Sequence, residues 1–168
     1  YKMQNLEVIF SGTNKTNLTQ SKKKVLKAIK ISGIKFKTTF QADKKKGYKN
    51  ILQNEKNINC AIVVVPDHLH YEVANECLNY NLHTLVVKPF TTKVLDAKKL
   101  IIKKARKNIH GIVEFHKRFD KHNLLLKNTY ETQKLGKPLY FNVEYSQKKI
   151  IPEKIFRNWA DKTNILQY

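Results

Sequence analysis

The chain has 168 residues, 41% of them apolar, which is enough to bury a core and argues against disorder for the bulk of it. Its formal charge of +20 invites a nucleic-acid reading, yet only three of the 33 cations are arginines (Arg106, Arg118, Arg157) and the lysines are spread along the chain. Arginine forks and clustered cations are what phosphate and base recognition favour, so nucleic acid is not expected as the main partner. No apolar run reaches the roughly 18 residues of a membrane span and no charged-then-apolar leader begins the chain. Cys60 and Cys77 have neither disulfide-framework nor metal-clip spacing, which fits a reducing, cytoplasmic setting.

Leu6 to Phe10 reads as a strand, closed by Ser11-Gly12 and a turn rich in Asn and Thr. Val25, Leu26, Ala28 and Ile29 give a helical stripe after Ser21, which Gly33 closes. Phe36 to Phe40 reads as a short strand, Lys44 to Lys46 as a loop and Tyr48 to Gln53 as a short helix.

The most informative stretch follows. Ala61-Ile-Val-Val-Val65 is an apolar run without polar alternation, as a strand covered on both faces requires. Pro66-Asp-His-Leu-His70 leads into a helix whose apolar stripe is Leu69, Val73, Ala74, Cys77 and Leu78. A second apolar run then ends at Lys88-Pro89, and only a helical crossover lets two such strands pair in parallel. The next helix is expected to bury Val94, Ala97, Ile101 and Ala105, and Ile112 to Phe115 is a further strand. Alternating strands and helices from Ala61 to Phe115 predict an α/β, Rossmann-like doubly wound parallel sheet, incomplete in this chain.

After a helix from about Lys121 to Thr132, capped by Asp120, the run Leu139 to Ser146 alternates strictly. Leu139, Phe141, Val143 and Tyr145 share one side, which predicts a half-exposed strand of an α/β open-sheet domain. The expected division is a nucleotide-binding domain over 1–117 and the beginning of a second domain, for substrate and oligomerisation, over 118–168, with Phe156, Trp159 and Tyr168 in its core.

In doubly wound sheets ligands sit beyond the carboxyl ends of the strands, where Asp67, His68, His70 and Lys88 fall. Pro89 keeps Lys88 extended. A half-buried ammonium near a cationic ring gives up its proton more easily, which suits acid/base work on an alcohol or carbonyl. The plainer reading of Lys88 is one more surface lysine. Pro66 and Asp67 are expected to form the tight exit from the strand. His70 is expected to face the cleft and hydrogen-bond a ligand, with a satisfied, partly buried histidine as the alternative. His68 and His70 lack the further ligands of a metal site, and none is expected. Arg118 either clamps a ligand or pairs with a carboxylate. From Ser11 to Thr19 there is no acid, and Ser11, Thr13 and Lys15 would accept a 2′-phosphate, a lean towards NADP over NAD.

Asn59-Cys-Ala-Ile-Val-Val-Val-Pro-Asp-His-Leu-His-Tyr71, His83-Thr-Leu-Val-Val-Lys-Pro-Phe90, Phe115-His-Lys-Arg-Phe-Asp120 and Leu135-Gly-Lys-Pro-Leu-Tyr140 together resemble, in order and spacing, the Gfo/Idh/MocA oxidoreductases. That group includes glucose-fructose oxidoreductase and inositol dehydrogenase. The resemblance implies an NAD(P)-dependent oxidoreductase acting on a sugar, polyol or related hydroxy compound, and in the full-length protein a homo-oligomer. It puts the lysine of a Glu-Lys-Pro signature on Lys88, implying proton transfer and contact with cofactor and substrate. Pro66, His68 and His70 fall on the cofactor-side loop, and His116 and Arg118 line the substrate cleft. Val87 stands where the signature has glutamate. No glycine-rich turn precedes Leu6, and the family's catalytic histidine would lie past Tyr168. The chain by itself is therefore expected to bind cofactor poorly and turn nothing over. The alternative is a non-catalytic dinucleotide-fold sensor or partner protein.

Overall fold

The structure, a computed structural model, describes residues 6–34, 36–43, 47–144, 146, 148–155, 157 and 162. It holds two compact units, residues 1–58 and 59–168.

In the first unit β1 (Glu7–Gly12) and β2 (Lys37–Ala42) pair in parallel, with Phe10 opposite Phe40. Those two rings stack with centroids 4.8 Å apart, and Lys37 reaches Glu7 at 3.0 Å across the open end of the pair. The crossover is α1 (Lys15–Ser32), which starts earlier than its pattern suggests. Asn14 caps it by accepting the Asn17 N–H at 3.0 Å, so the Asn- and Thr-rich stretch expected as a turn is the cap and first turns of the helix. Asn serves both purposes, because its side-chain oxygen satisfies a free backbone N–H in either setting. Gly33 ends α1 in the left-handed conformation (φ 68°), where a Cβ would be strained. α2 (Tyr48–Asn54) buries Ile51. The lysine run Lys44 to Lys46 lies outside the described residues.

In the second unit β3 (Cys60–Val63), β4 (His83–Val87) and β5 (Gly111–Glu114) form a parallel sheet in that order. Ile62, Leu85 and Ile112 are register partners, as are Val63, Val86 and Val113. A short 3-10 turn (Asp67–Leu69) leads into α3 (His70–Asn79), which buries His70, Val73, Ala74, Cys77 and Leu78, the i, i+3, i+4, i+7, i+8 face. α3 packs against β3, β4 and α4 (Val94–Lys107). Lys103 and Lys107 of α4 fasten it to α3 through neutral oxygens. The Lys103 ammonium donates to Asn79 Oδ1 at 2.8 Å, and that of Lys107 to Asn81 Oδ1 at 2.7 Å.

Two expectations change here. The strands are not covered on both faces: Val63 and Val86 are buried under the helices, whereas Ile62 (71% exposed), Val64 (68%) and Ile112 (58%) form an open apolar face. Crossovers of one hand between strands laid down in one direction place both helices on the same side. α4 buries Leu100 rather than the stripe through Val94 and Ile101, both of which are exposed. The helix is apolar on two faces, and only packing selects one of them.

A third correction concerns Leu139 to Ser146. Residues 139–144 and 146 carry no regular structure, and Leu139, Tyr140, Phe141 and Val143 are exposed. Alternation marks which side chains could share a face, but a strand exists only where a neighbour takes up its N–H and C=O groups, and among the described residues none does. α5 (Lys121–Glu131) forms as expected, its Asn123 N–H donating to Asp120 Oδ1 at 2.9 Å. Phe156, Trp159 and Tyr168 lie outside the described residues.

One buried side chain ties the strand ends together. The His70 ring places Nδ1 at 2.5 Å from the Pro89 carbonyl oxygen and Nε2 at 2.9 Å from that of Val65. A neutral ring has one N–H, so which nitrogen donates depends on the tautomer. His70→Phe keeps an aromatic ring at the site and removes both ring nitrogens that meet the carbonyls. It is expected to lower the unfolding free energy by about 2–5 kcal/mol in a urea titration, while His122→Phe on the exposed face of α5 stays within about 0.5 kcal/mol.

Burial also pushes the Cys77 thiol up from its ordinary 9.0 to about 11. In the unfolded chain that thiol ionises near 9, and in the folded chain only near 11, so stability falls as pH rises through this window. The fall should be smaller in Cys77→Ala. Near pH 8, in the ordinary thiol range, a thiol reagent should titrate exposed Cys60 alone in the folded protein and both cysteines in denaturant.

Candidate functional site at the carboxyl edge of the second sheet

Because β3, β4 and β5 run in parallel, their carboxyl ends share one edge. Lys88 leaves the middle strand there, with the Asp67 turn beside it after β3 and Glu114 beside it at the end of β5. Lys88 is half-buried, and its peptide bond to buried Pro89 is cis. Desolvation lowers the ammonium below its ordinary 10.5, and the negative charges of Asp67 and then Glu114 act in the opposite sense. Asp67 is 5% exposed, so its carboxylate is fixed in the wall, whereas the Glu114 side chain is partly open to solvent. Glu114 is the register partner of Val87 and lies 3.4 Å from His116 Nδ1.

The other expected residues divide into four groups. Pro66 accepts the Leu69 N–H at 2.8 Å and makes the tight exit from β3. His68 follows Asp67 with its Nδ1 buried and without a hydrogen-bond partner among the described residues. His116 and Arg118 belong to the 3-10 turn His116–Phe119 after β5, and both are exposed. The Arg118 guanidinium lies 4.6 Å from the Phe115 ring centroid, a cation–π contact, and no carboxylate pairs with it among the described residues. Ser11, Thr13 and Lys15 sit in the first unit, at the end of β1 and the start of α1, all exposed. His70 does not face a cleft. It is fully buried with both ring nitrogens on backbone oxygens, which corrects the expected hydrogen bond to a ligand: the ring positions the loops from behind.

Glu114 is the member that the residue pattern left unmarked. Its signal was there, since it closes the apolar run of β5 at the level where Val87 closes β4. Among the described residues no group of three His, Cys, Asp or Glu side chains is arranged to hold a metal, and no helix is long and apolar enough to cross a membrane.

A family model described as the oxidoreductase family with an NAD-binding Rossmann fold, Gfo/Idh/MocA, matches residues 10–115. An uncharacterised oxidoreductase of Schizosaccharomyces pombe is 33% identical over 112 residues, 66% of this chain and 29% of its own length. An inositol 2-dehydrogenase of Salmonella paratyphi B is 28% identical over 104 residues, 61% of this chain and 31% of its own length. The chain thus spans about a third of the curated relatives it matches. Among solved structures, myo-inositol 2-dehydrogenase from Lactobacillus plantarum superposes with a TM-score of 0.69 at 18% identity, covering 95% of this chain and 42% of that one. The WlbA dehydrogenase from Bordetella pertussis, in complex with NADH and UDP-GlcNAcA, gives 0.55 at 19% identity over 79% of this chain and 33% of that one. With a Rossmann-like parallel α/β core and a family match across most of its described strands, the chain belongs to the Gfo/Idh/MocA oxidoreductase family.

Proposed function

We propose that the whole protein is a nicotinamide-dependent dehydrogenase acting on a hydroxyl-bearing carbon of a sugar, polyol or related compound, with Lys88 as its proton relay. The observation that carries this is the half-buried ammonium at the end of the middle strand, held below its ordinary range by desolvation. A bound nicotinamide cofactor supplies the hydride acceptor or donor. Lys88 then handles the proton: its amine takes the hydroxyl proton as the carbinol carbon is oxidised to a carbonyl, and its ammonium returns a proton to the carbonyl oxygen in the reverse direction.

The residues at this edge fit such a cofactor. The buried, unpartnered Nδ1 of His68 is available for a hydrogen bond that the protein itself does not make, and the turn at Pro66 and Asp67 lies beside it. In this reading Pro66, Asp67, His68 and Lys88 serve the cofactor, Lys88, His116 and Arg118 the substrate, and His70 the loop. Ser11, Thr13 and Lys15, with no acid nearby in sequence, favour the 2′-phosphate of NADP. In this reading residues 1–117 belong to the nucleotide-binding part and residues 118–168 begin a second domain for substrate and oligomerisation. The exposed apolar side chains from Leu139 to Val143 support self-association of the whole protein, which we place in the cytoplasm.

A second reading, a non-catalytic dinucleotide-fold sensor, draws support from Val87 in place of the signature glutamate. Steady-state assays of the whole protein with NAD and NADP against inositols, free sugars and nucleotide-linked sugars separate the two. Lys88→Ala is expected to lower kcat/KM by about 10²–10⁴ with cofactor affinity changed far less. Turnover unchanged by Lys88→Ala rejects the relay, and cofactor binding without turnover of any of these substrates by the unmodified protein decides for the sensor.

A further inference from the structure

α4 carries an apolar face that the second sheet does not use. Leu100 is buried, while Val94, Leu95, Ile101 and Ile102 are each more than half exposed. Lys98, Lys99 and Arg106 are exposed among them, and Val94, Lys98, Ile102 and Arg106 follow one ridge of the helix in steps of four, apolar and cationic in turn. Six of the fourteen residues of α4 are cations, and its one acid, Asp96, lies 3.3 Å from the Lys99 ammonium. Lys103 donates to the side-chain oxygens of Asn75 and Asn79, and Lys107 to the Asn79 carbonyl and the Asn81 side chain. Neutral oxygens fix these two charges in place without cancelling them. No carboxylate pairs with Lys98, Lys104 or Arg106 among the described residues. Lys99, Ile102, Lys103, Arg106 and Lys107 line a shallow groove of about 490 Å³. None of these residues belongs to the candidate site at the carboxyl edge.

We propose that the exposed side of α4 rests on a bilayer surface of anionic lipids, with Val94, Leu95, Ile101 and Ile102 entering the headgroup layer and Lys98, Lys99 and Arg106 meeting the lipid anions. Charge complementarity selects this partner. An anionic leaflet draws in a basic surface, and apolar side chains already exposed beside the cations then leave water, while lysine and arginine stems let the charged heads stay at the headgroup level. α4 is about 21 Å long at ~1.5 Å per residue, and its exposed apolar residues are spread along it, Val94 and Leu95 in the first turn and Ile101 and Ile102 two turns on. A flat surface needs no walls. The five residues that line the groove all belong to α4, so no second element stands beside it to clasp an acidic polypeptide. A second copy of the chain would bring like charge against like. Nucleic acid would set its phosphates against four apolar side chains, and α4 offers only one arginine fork to reward it. The proposal goes beyond the reaction assigned to Lys88 and does not depend on it.

Sedimentation of the whole protein with lipid vesicles tests this. Vesicles of phosphatidylcholine with about 30% phosphatidylserine are expected to carry the protein down, and vesicles of phosphatidylcholine alone are not, with the association weakening as salt is raised. Lys98→Glu combined with Arg106→Glu is expected to lower the partition coefficient about tenfold or more. Lys121→Glu combined with Lys134→Glu, an equal change of charge outside α4, should lower it about threefold or less. All four positions are exposed, and unchanged circular dichroism checks that the variants fold. A nitrobenzoxadiazole dye attached at position 102 of protein carrying Cys60→Ser and Ile102→Cys should move its emission to shorter wavelength on the anionic vesicles. No sedimentation with those vesicles at low salt, equal losses from the two charge reversals, or a dye at position 102 that stays in water on sedimented protein overturns the proposal. Stronger retention of poly-L-glutamate or of a DNA duplex than of vesicles, through the same α4 cations, gives the face to that polyanion and overturns it as well. So does a dimer in vesicle-free solution that Ile102→Ser dissolves, which gives the face to a second copy.

Discussion

An imidazole lodged between two carbonyl oxygens governs the geometry of the second unit. The loops leaving β3 and β4 have no strand pairing of their own beyond Val63 and Val87, and chain ends of that kind fray unless something holds their polar groups. His70 holds one oxygen from each, Val65 on one side and Pro89 on the other. Its own position is set by α3, whose first turn it begins and whose buried face continues through Val73, Ala74 and Cys77. The packing of one helix therefore determines where two loops lie. Lys88, the neighbour of Pro89, takes its place from that arrangement.

Charge then works on a prearranged stage. A half-buried lysine loses hydration that water would give its ammonium, and the loss outweighs the attraction of two carboxylates, since the net shift is downward. The attraction is limited because the Glu114 side chain is partly open to water, where solvent screens a charge, while the buried carboxylate of Asp67 is screened less. In doubly wound folds the carboxyl edge is where ligands bind, and here it brings together a lysine, two acids and a histidine nitrogen that has no partner within the described protein.

The segment from Cys60 to Phe90 was legible because its signals agree. Two apolar runs flank a helix whose apolar residues recur at i, i+3, i+4, i+7 and i+8, and only parallel pairing fits them. Asp120 and Gly33 were equally plain, since capping is local chemistry and needs no tertiary context. What could not be read depends on neighbours. α4 has two apolar faces and the sheet chose the one with Leu100. Leu139 to Ser146 alternates as a strand would but has no described partner to pair with. The His70 ring was expected among ligands because a histidine at a strand exit can point either way, and the carbonyls that captured it come from residues 5 and 19 positions away. Glu114 was missed for the same reason. Its partner is on another strand, and register is invisible until the sheet is assembled.

The tether itself is the most direct point of attack. In protein labelled with ¹⁵N at histidine, nuclear Overhauser contacts from the His70 ring protons to Val65 and to Pro89 report both halves of the bridge, and solvent exchange of the ring N–H reports its burial. Contacts to both residues with slow exchange are what the structure requires. A His70 ring in rapid exchange with water and without contact to Pro89 would mean that the two loops are not joined, and the placement of Lys88 at this edge would lose its basis.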